Sequence, residues 1–474
     1  MKASLTQATN RKTQIAFLLV FLLAVSLRLS LALVNREAYD DHMPVIELML
    51  NSDRLPLKED CQECFQPKLY YFVVASLLKS LSIADPEAAI VTAQLVNVLA
   101  SAIALWVIWL LLRQVTAIAD TPKLLAFGLV ALNPNLVAIN VMATNDTFVI
   151  SLSTIAFFYA YQFIKNRKSL NLTLTIVFSV LTVLSKTNGI ITPIAIATTL
   201  FLESIAHRNF LFSWGKGTLF YLSTYIISVF ALIVLNPLGQ YLQNYQLYGS
   251  PLALNMDPQP WPYFFEKTKT ARPGITSIQD GFLTFKYIDL LSDPQINLEN
   301  KDYPAHRTSY WTMLYGRANF IQHTPWPPSW ITHDRNIRWL GRIMYSLALL
   351  PTTLLIVGAG LEATRLLRSF LDTQSLAAIP FGAGLFLISF LGALGFGIAY
   401  ALRYRIFTVL KAIFIYPALP SFAILFVVGL QSVSLQINKK TPRLMRLLNA
   451  SMFLLLGFYT LDIILLFTQL AFPK

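Results

Sequence analysis

The chain has 474 residues, of which 55% are hydrophobic and 13% charged, against roughly 25% charged in an ordinary soluble domain. So apolar a composition excludes a soluble enzyme. Lys+Arg outnumber Asp+Glu by 37 to 24, a net charge of +13, an excess that membrane proteins carry in their cytoplasmic loops, which argues against nucleic acid as a partner.

The first apolar stretch, residues 15–34, follows Lys2, Arg11 and Lys12, which hold that end in the cytoplasm. It is too long for a removable signal peptide and lacks a small-residue cleavage site, so it reads as a retained first helix. Further apolar stretches lie at 68–83, 89–112, 124–143, 147–164, 170–185, 188–204, 218–236, 340–358, 379–400, 406–430 and 449–470. Together they predict an all-α integral membrane protein with 12–13 transmembrane helices. The basic loops at 165–168, 207–216, 365–368 and 439–446 can all be cytoplasmic together, which places Lys186, the segment 237–338, Arg403 and Arg405 on the outer side. Upstream of Lys165 the alternation needs an even number of crossings and offers five. The weakest is 68–83, which is either re-entrant or completed by a further crossing that uses residues 43–50. The expected organisation is an N-terminal transmembrane catalytic module, 1–236, with a first outer loop at 35–67; an outer subdomain, 237–338; and C-terminal transmembrane helices, 339–474. A structureless loop as long as 237–338 is improbable, and no internal repeat is visible.

Few charges remain once the anchoring loops are set aside, and they follow a pattern along the chain. Arg28 lies within the first helix, and Asp40, Asp41 and His42 stand where the chain leaves the bilayer. A carboxylate held between lipid and water is partly desolvated and suited to accept a proton from a hydroxyl. The same three residues are alternatively a divalent-metal site, or a helix cap. Cys61 and Cys64 are too few for a disulfide scaffold or a four-ligand zinc site, and read as one local structural pair at most, free or bridged, in an oxidising outer loop. Asp146, within Asn145-Asp146-Thr147, marks a second polar break, read either as an N-cap or as a functional acid. Lys186, Arg403, Arg405 and Lys411 interrupt later apolar stretches. Snorkelling accounts for any one of these cations, but five cations beside carboxylates on one side suit a phosphate carried on a lipid. The aromatics of 237–338, among them Trp261, Tyr263, Phe264, Phe265, Trp311, Tyr315, Trp326 and Trp330, either stack on sugars or sit in the headgroup layer, and the second reading is favoured. Gly382, Gly384, Gly392, Gly395 and Gly397 predict close helix packing in the tenth stretch.

In its order of motifs the chain resembles the polytopic glycosyltransferases of family 39 type, which have a GT-C fold and include protein O-mannosyltransferases and the aminoarabinose transferases of lipid A. The matching features are Arg28, Asp40-Asp41, Gln66-Pro67-Lys68-Leu69-Tyr70-Tyr71, Asp146, Lys186-Thr187-Asn188-Gly189 with Pro193, and Lys411 ahead of Tyr416-Pro417-Ala418-Leu419-Pro420. The resemblance implies transfer of a sugar from a polyprenyl-phosphate carrier to a lipid, glycan or protein at the outer face of the cell membrane, with inversion. It assigns catalysis to Asp40, with Asp41 and Asp146 beside it. Arg28, Lys186, Arg403, Arg405 and Lys411 would bind the lipid phosphate, with His42, Lys68 and Tyr70 as further contacts. The chain departs from the family at Asp41, where Glu is common, at Pro67-Lys68 in place of Pro-Pro, and at Ile413 in place of a base. No cofactor is implied with certainty, a divalent metal remains open, and a multi-pass transporter or lipid flippase is the alternative of similar composition.

Overall fold

A computed structural model describes residues 11–37, 41–115, 119–206, 217–252, 274–275, 277–295, 308–323, 330, 337–371, 383–405 and 410–472. Apart from a bridge residue at Gly274, the regular structure among them is helical. In chain order the helices are α1 (Arg11–Val34), α2 (His42–Asn51), α3 (Leu69–Ser80), α4 (Pro86–Gln114), α5 (Asp120–Ala131), α6 (Pro134–Asn140), α7 (Asp146–Asn166), α8 (Ser169–Ser185), α9 (Ile191–Ala206), α10 (Thr218–Leu235) and α11 (Tyr241–Tyr248). After the short helices α12 (Ile278–Phe282), α13 (Tyr287–Ser292) and α14 (Tyr310–Asn319) come α15 (Arg338–Leu371), α16 (Ala383–Tyr404), α17 (Leu419–Lys440) and α18 (Pro442–Ala471). The protein is an all-α, multi-pass membrane protein.

Seven helices among the described residues are long and apolar enough to cross a bilayer, fewer than the 12–13 expected. Part of the difference is that Ser169–Ser185 and Leu219–Leu235 are apolar but shorter helices, and part arises where an apolar stretch does not make a single long helix. The stretch at 124–143 bends by 50° between α5 and α6, and counting that pair as one span gives eight. Asn133 causes the break: its side chain accepts from Leu136 N at 2.9 Å, and Pro134 follows at the first helical position. The stretch at 68–83 becomes the 12-residue α3, about 18 Å long where the hydrocarbon core is about 30 Å. It is therefore not a full span.

Helices α7 and α8 pack side by side, with α4 on α7, and α15 crosses α17. The α15–α17 crossing is a backbone contact. A Cβ on Gly358 would fall on the Leu425 carbonyl oxygen and lie 3.0 Å from Gly429 N; one on Gly429 would fall on the Leu354 carbonyl oxygen and lie 3.0 Å from Gly358 N. The tight glycine packing expected in the tenth stretch is thus found mainly elsewhere: Gly395 has open space around it and Gly392 only an ordinary contact with Ile191, while Gly397 does abut the Tyr310 hydroxyl.

The described parts of 308–330 pack on the helix bundle. Trp330 is buried and donates Nε1 to Asn35 Oδ1 at 3.3 Å, Ile321 N donates to Asp462 Oδ2 at 2.9 Å, and Asn133 Nδ2 donates to the Ala318 carbonyl at 2.8 Å. Trp330 and Tyr315 are therefore core residues, not headgroup aromatics. Trp261, Tyr263, Phe264, Phe265 and Trp326 lie outside the described residues.

Candidate active site

Three interruptions in the apolar helices supply the polar groups. The first is the connection from α6 to α7. Asn97 on α4 donates Nδ2 to the carbonyls of Met142 (2.8 Å) and Thr144 (2.7 Å), holding a backbone that has no helix to satisfy it. Asn145 caps α7 by position but makes no side-chain capping bond. Its Nδ2 instead donates to the Ser185 carbonyl at 3.0 Å, tying this break to the end of α8. Asp146, the first residue of α7, is thereby free of the capping role and points at the second break.

There α8 ends at Ser185, Lys186 is extended (φ −159°, ψ 144°), and a 3-10 turn, Thr187–Ile190, leads into α9. Only glycine fits at 189, because a Cβ would fall on the Thr182 carbonyl. The extended Lys186 sends its Nζ to Asp146 Oδ1 at 2.6 Å, with side-chain exposures of 12% for the lysine and 3% for the aspartate. Burial this deep makes either partner costly without the other.

The third interruption holds Lys411, followed by a 3-10 turn, Ala412–Ala418, that continues into α17. That turn packs against α7 and against Thr187–Ile190, so the Lys186 and Lys411 breaks are neighbours. From Ile190 a cavity of about 440 Å³ runs between α9 and α16, lined by apolar residues including Ile191, Ile194, Leu391 and Phe396.

The connection from α1 to α3 and the start of α3 lie near the same region, Tyr71 being within electrostatic reach of Asp146. Buried His42 places Nδ1 2.6 Å from the Tyr71 hydroxyl. Burial raises the Tyr71 phenol well above its ordinary pKa, helped by the Glu63, Tyr70 and Asp146 charges, so Tyr71 stays protonated and is a hydrogen-bond donor at neutral pH. Of the two states open to the pair, Cys61 and Cys64 take the bridged one, a disulfide. It closes the turn whose Cys64 carbonyl accepts from Lys68 Nζ, which also donates to the Gln66 carbonyl at 2.7 Å.

The remaining expected site residues fall in different places. Arg28 is fully buried, with Nε on Asn140 Oδ1 (2.9 Å) and Nη1 on the carbonyls of Ala24 (3.0 Å) and Ala131 (2.8 Å), while Nη2 has no hydrogen-bond partner among the described residues. Asn140 passes this on to Thr147 Oγ1 at 3.1 Å, so Arg28 anchors the break that carries Asp146. Tyr70 donates to the Ala93 carbonyl at 3.2 Å, a packing contact between α3 and α4. Arg405 is buried in a left-handed conformation (φ 53°), with Nε on the Leu402 carbonyl at 2.9 Å and its own carbonyl accepting from Ile275 N at 2.8 Å. Arg403 is exposed over the Tyr404 ring, 5.8 Å from its centroid. Asp41 is exposed in the left-handed region (φ 53°) and makes no capping bond. Asp40 lies outside the described residues. Among the described residues no group of three His, Cys, Asp or Glu side chains is placed to hold a metal. Asn97, Asn140 and Glu63 were not singled out in the sequence, although an asparagine within an apolar run is a readable signal that a backbone break must be held.

Burial strongly opposes the charge of Lys68. Burial holds its pKa down, from 10.5 to about 7, against the opposing pull of Asp60 and Glu63. The folded protein therefore binds fewer protons than the unfolded chain between these values, and stability should rise with pH from about 7 to 10.5. Melting temperatures in detergent across that range should show the rise, and Lys68→Met should flatten it. An unchanged slope in Lys68→Met would assign the effect to another group.

Fold and site together define a multi-pass, all-α membrane protein whose buried ion pair joins two facing helix breaks. Residues 73–237 match the family described as dolichyl-phosphate-mannose-protein mannosyltransferase, and that segment holds Asp146, Lys186 and the turn after it. Among curated proteins there is no match. Solved structures similar to the chain include the oligosaccharyltransferase of Archaeoglobus fulgidus in its apo form (14% identity, TM-score 0.45, covering 96% of this chain and 56% of that one). Another is ArnT from Cupriavidus metallidurans bound to undecaprenyl phosphate (13% identity, TM-score 0.35, covering 92% and 82%). The chain thus spans little more than half the length of the archaeal protein.

Proposed function

We propose that the protein is a glycosyltransferase that moves a sugar from a polyprenyl-phosphate carrier to a lipid, glycan or protein acceptor at the outer face of the cell membrane. The observation that carries this reading is the Asp146–Lys186 pair at 2.6 Å, buried where two helix breaks meet beside the Lys411 turn, on a turn whose last residue, Ile190, lines an apolar cavity. Cations next to a groove of that kind suit a substrate with an anionic head and a long hydrocarbon tail. The match of residues 73–237 to a family named for a dolichyl-phosphate sugar supports the same substrate class.

In the reaction the acceptor hydroxyl oxygen attacks the anomeric carbon from the face opposite the phosphate, and the bond from that carbon to the phosphate oxygen breaks. The configuration inverts, the hydroxyl proton passes to a carboxylate, and polyprenyl phosphate leaves. Asp40 is the base in this reading. Lys186 and Lys411 neutralise the charge that grows on the departing phosphate, and Asp146 sets the position of Lys186 and faces the sugar. The neutral Tyr71 hydroxyl, 2.6 Å from His42 Nδ1, lies within electrostatic reach of Asp146.

Purified protein in liposomes, given labelled polyprenyl-phosphate sugars and a cell-envelope extract, should release polyprenyl phosphate and label the extract, and mass spectrometry should identify the acceptor. Asp40→Asn should lose transfer and keep its affinity for polyprenyl phosphate. Full turnover by Asp40→Asn would remove Asp40 from the mechanism, and no labelling with any hexosyl or pentosyl carrier would overturn the reaction class. Undiminished activity in a chelator would exclude a required divalent metal.

A further inference from the structure

Two residues beyond Lys186, on the same 3-10 turn, Asn188 is 4% exposed, and neither Nδ2 nor Oδ1 of its amide has a hydrogen-bond partner. Across the break Asn145 is fully buried, and its Oδ1 is likewise unpartnered, its Nδ2 being used on the Ser185 carbonyl. Burying an amide with both ends open opposes folding, and a protein interior rarely keeps one without a use. The turn leaves no freedom to avoid it: Gly189 is pressed against the Thr182 carbonyl, and the turn lies against Ala412–Ala418. The open amide groups therefore flank the Asp146–Lys186 pair on both sides.

We infer that Asn188 is a sugar-reading residue, its amide taking a donor and an acceptor hydrogen bond from hydroxyl groups of the transferred sugar. This rests on the glycosyltransferase reading and goes further by separating sugar recognition from phosphate recognition. A phosphate oxygen accepts only, so a phosphate on Asn188 would leave Oδ1 unmatched; a hydroxyl both donates and accepts, and neighbouring hydroxyls match both ends of the amide. Asn145 Oδ1 adds a second acceptor for a hydroxyl proton. The phosphate is left to Lys186 and Lys411, and the tail to the cavity that begins at Ile190.

The test compares wild type with Asn188→Leu and Asn188→Ala, using a panel of polyprenyl-phosphate hexoses and pentoses with bare polyprenyl phosphate as reference. Both variants should keep the wild-type melting temperature or exceed it, since an unpartnered buried amide contributes nothing to the unliganded fold. Both should bind bare polyprenyl phosphate as wild type does, yet lose about 10–100-fold in kcat/KM for the preferred donor, together with the preference for sugar-bearing over bare carrier. Wild-type turnover and preference in the two variants would overturn the inference and leave the transferase reading intact. A fall in melting temperature that parallels the loss of turnover in both would also overturn it, by making Asn188 structural. A wild-type protein that neither transfers sugar nor prefers a sugar-bearing carrier would overturn both readings together.

Discussion

Lys186→Met is expected to lower stability by about 3–5 kcal/mol and to reduce sugar transfer by at least about 100-fold. The stability loss follows from what remains: Asp146, 3% exposed at its side chain, would keep a carboxylate whose other side-chain hydrogen bond among the described residues is a 3.4 Å approach of Thr144 Oγ1. The activity loss follows from the loss of a positive charge at the junction of the two breaks. Asp146→Asn should destabilise through the opposite route, leaving a lysine without its counter-charge. The double variant Asp146→Asn/Lys186→Met separates the two effects. Removing both charges together should recover much of the stability, because neither is left buried alone, whereas transfer should stay low. Thermal unfolding in detergent and initial transfer rates on the same four proteins are the measurements. A double variant with recovered stability and recovered transfer would show that the pair is only structural.

The second large effect is expected at the α15–α17 crossing. Gly358→Ala and Gly429→Ala each place a methyl group on a backbone carbonyl of the facing helix, an obstacle that a side-chain rotation cannot relieve. Overpacking of this kind costs about 1–3 kcal/mol, and more where backbone must move. Controls are available in the same molecule. Gly360 in α15 and Gly457 in α18 have nothing within 4 Å of a new Cβ, so Gly360→Ala and Gly457→Ala should be neutral or stabilising by up to about 1 kcal/mol through helix propensity alone. Melting temperatures of the four variants check this. Equal behaviour of crossing and control glycines would mean that α15 and α17 do not touch through their backbones.

The class of protein was legible in the sequence because hydropathy is a local average: runs of apolar residues identify helices in lipid without reference to any partner. Helix number was less legible for the same reason. An average over 124–143 does not register the bend that Asn133 and Pro134 impose, nor one over 68–83 the ending of α3 after 12 residues. That Cys61 and Cys64, three residues apart, form a local pair could be read from spacing. The scarcity of charge also drew attention to Asp146 and Lys186 individually.

That Asp146 and Lys186 pair was beyond reach of spacing, since they are 40 residues apart and meet only because Asn145 ties one break to the Ser185 carbonyl at the other. Tertiary structure likewise decided that Arg28, which in sequence resembles the other cations, directs its donors to Asn140 and two backbone carbonyls, and that Arg405 turns back on its own helix. It chose Gly358 and Gly429 over the denser glycines of the tenth stretch as the helix contact. The sequence by itself determined the solvent, the helical class and the short inventory of charges, because each depends on residues close together in the chain. Which charges pair, which are buried as anchors and which amides are left open depend on how helix breaks pack against one another, and only the folded bundle sets that.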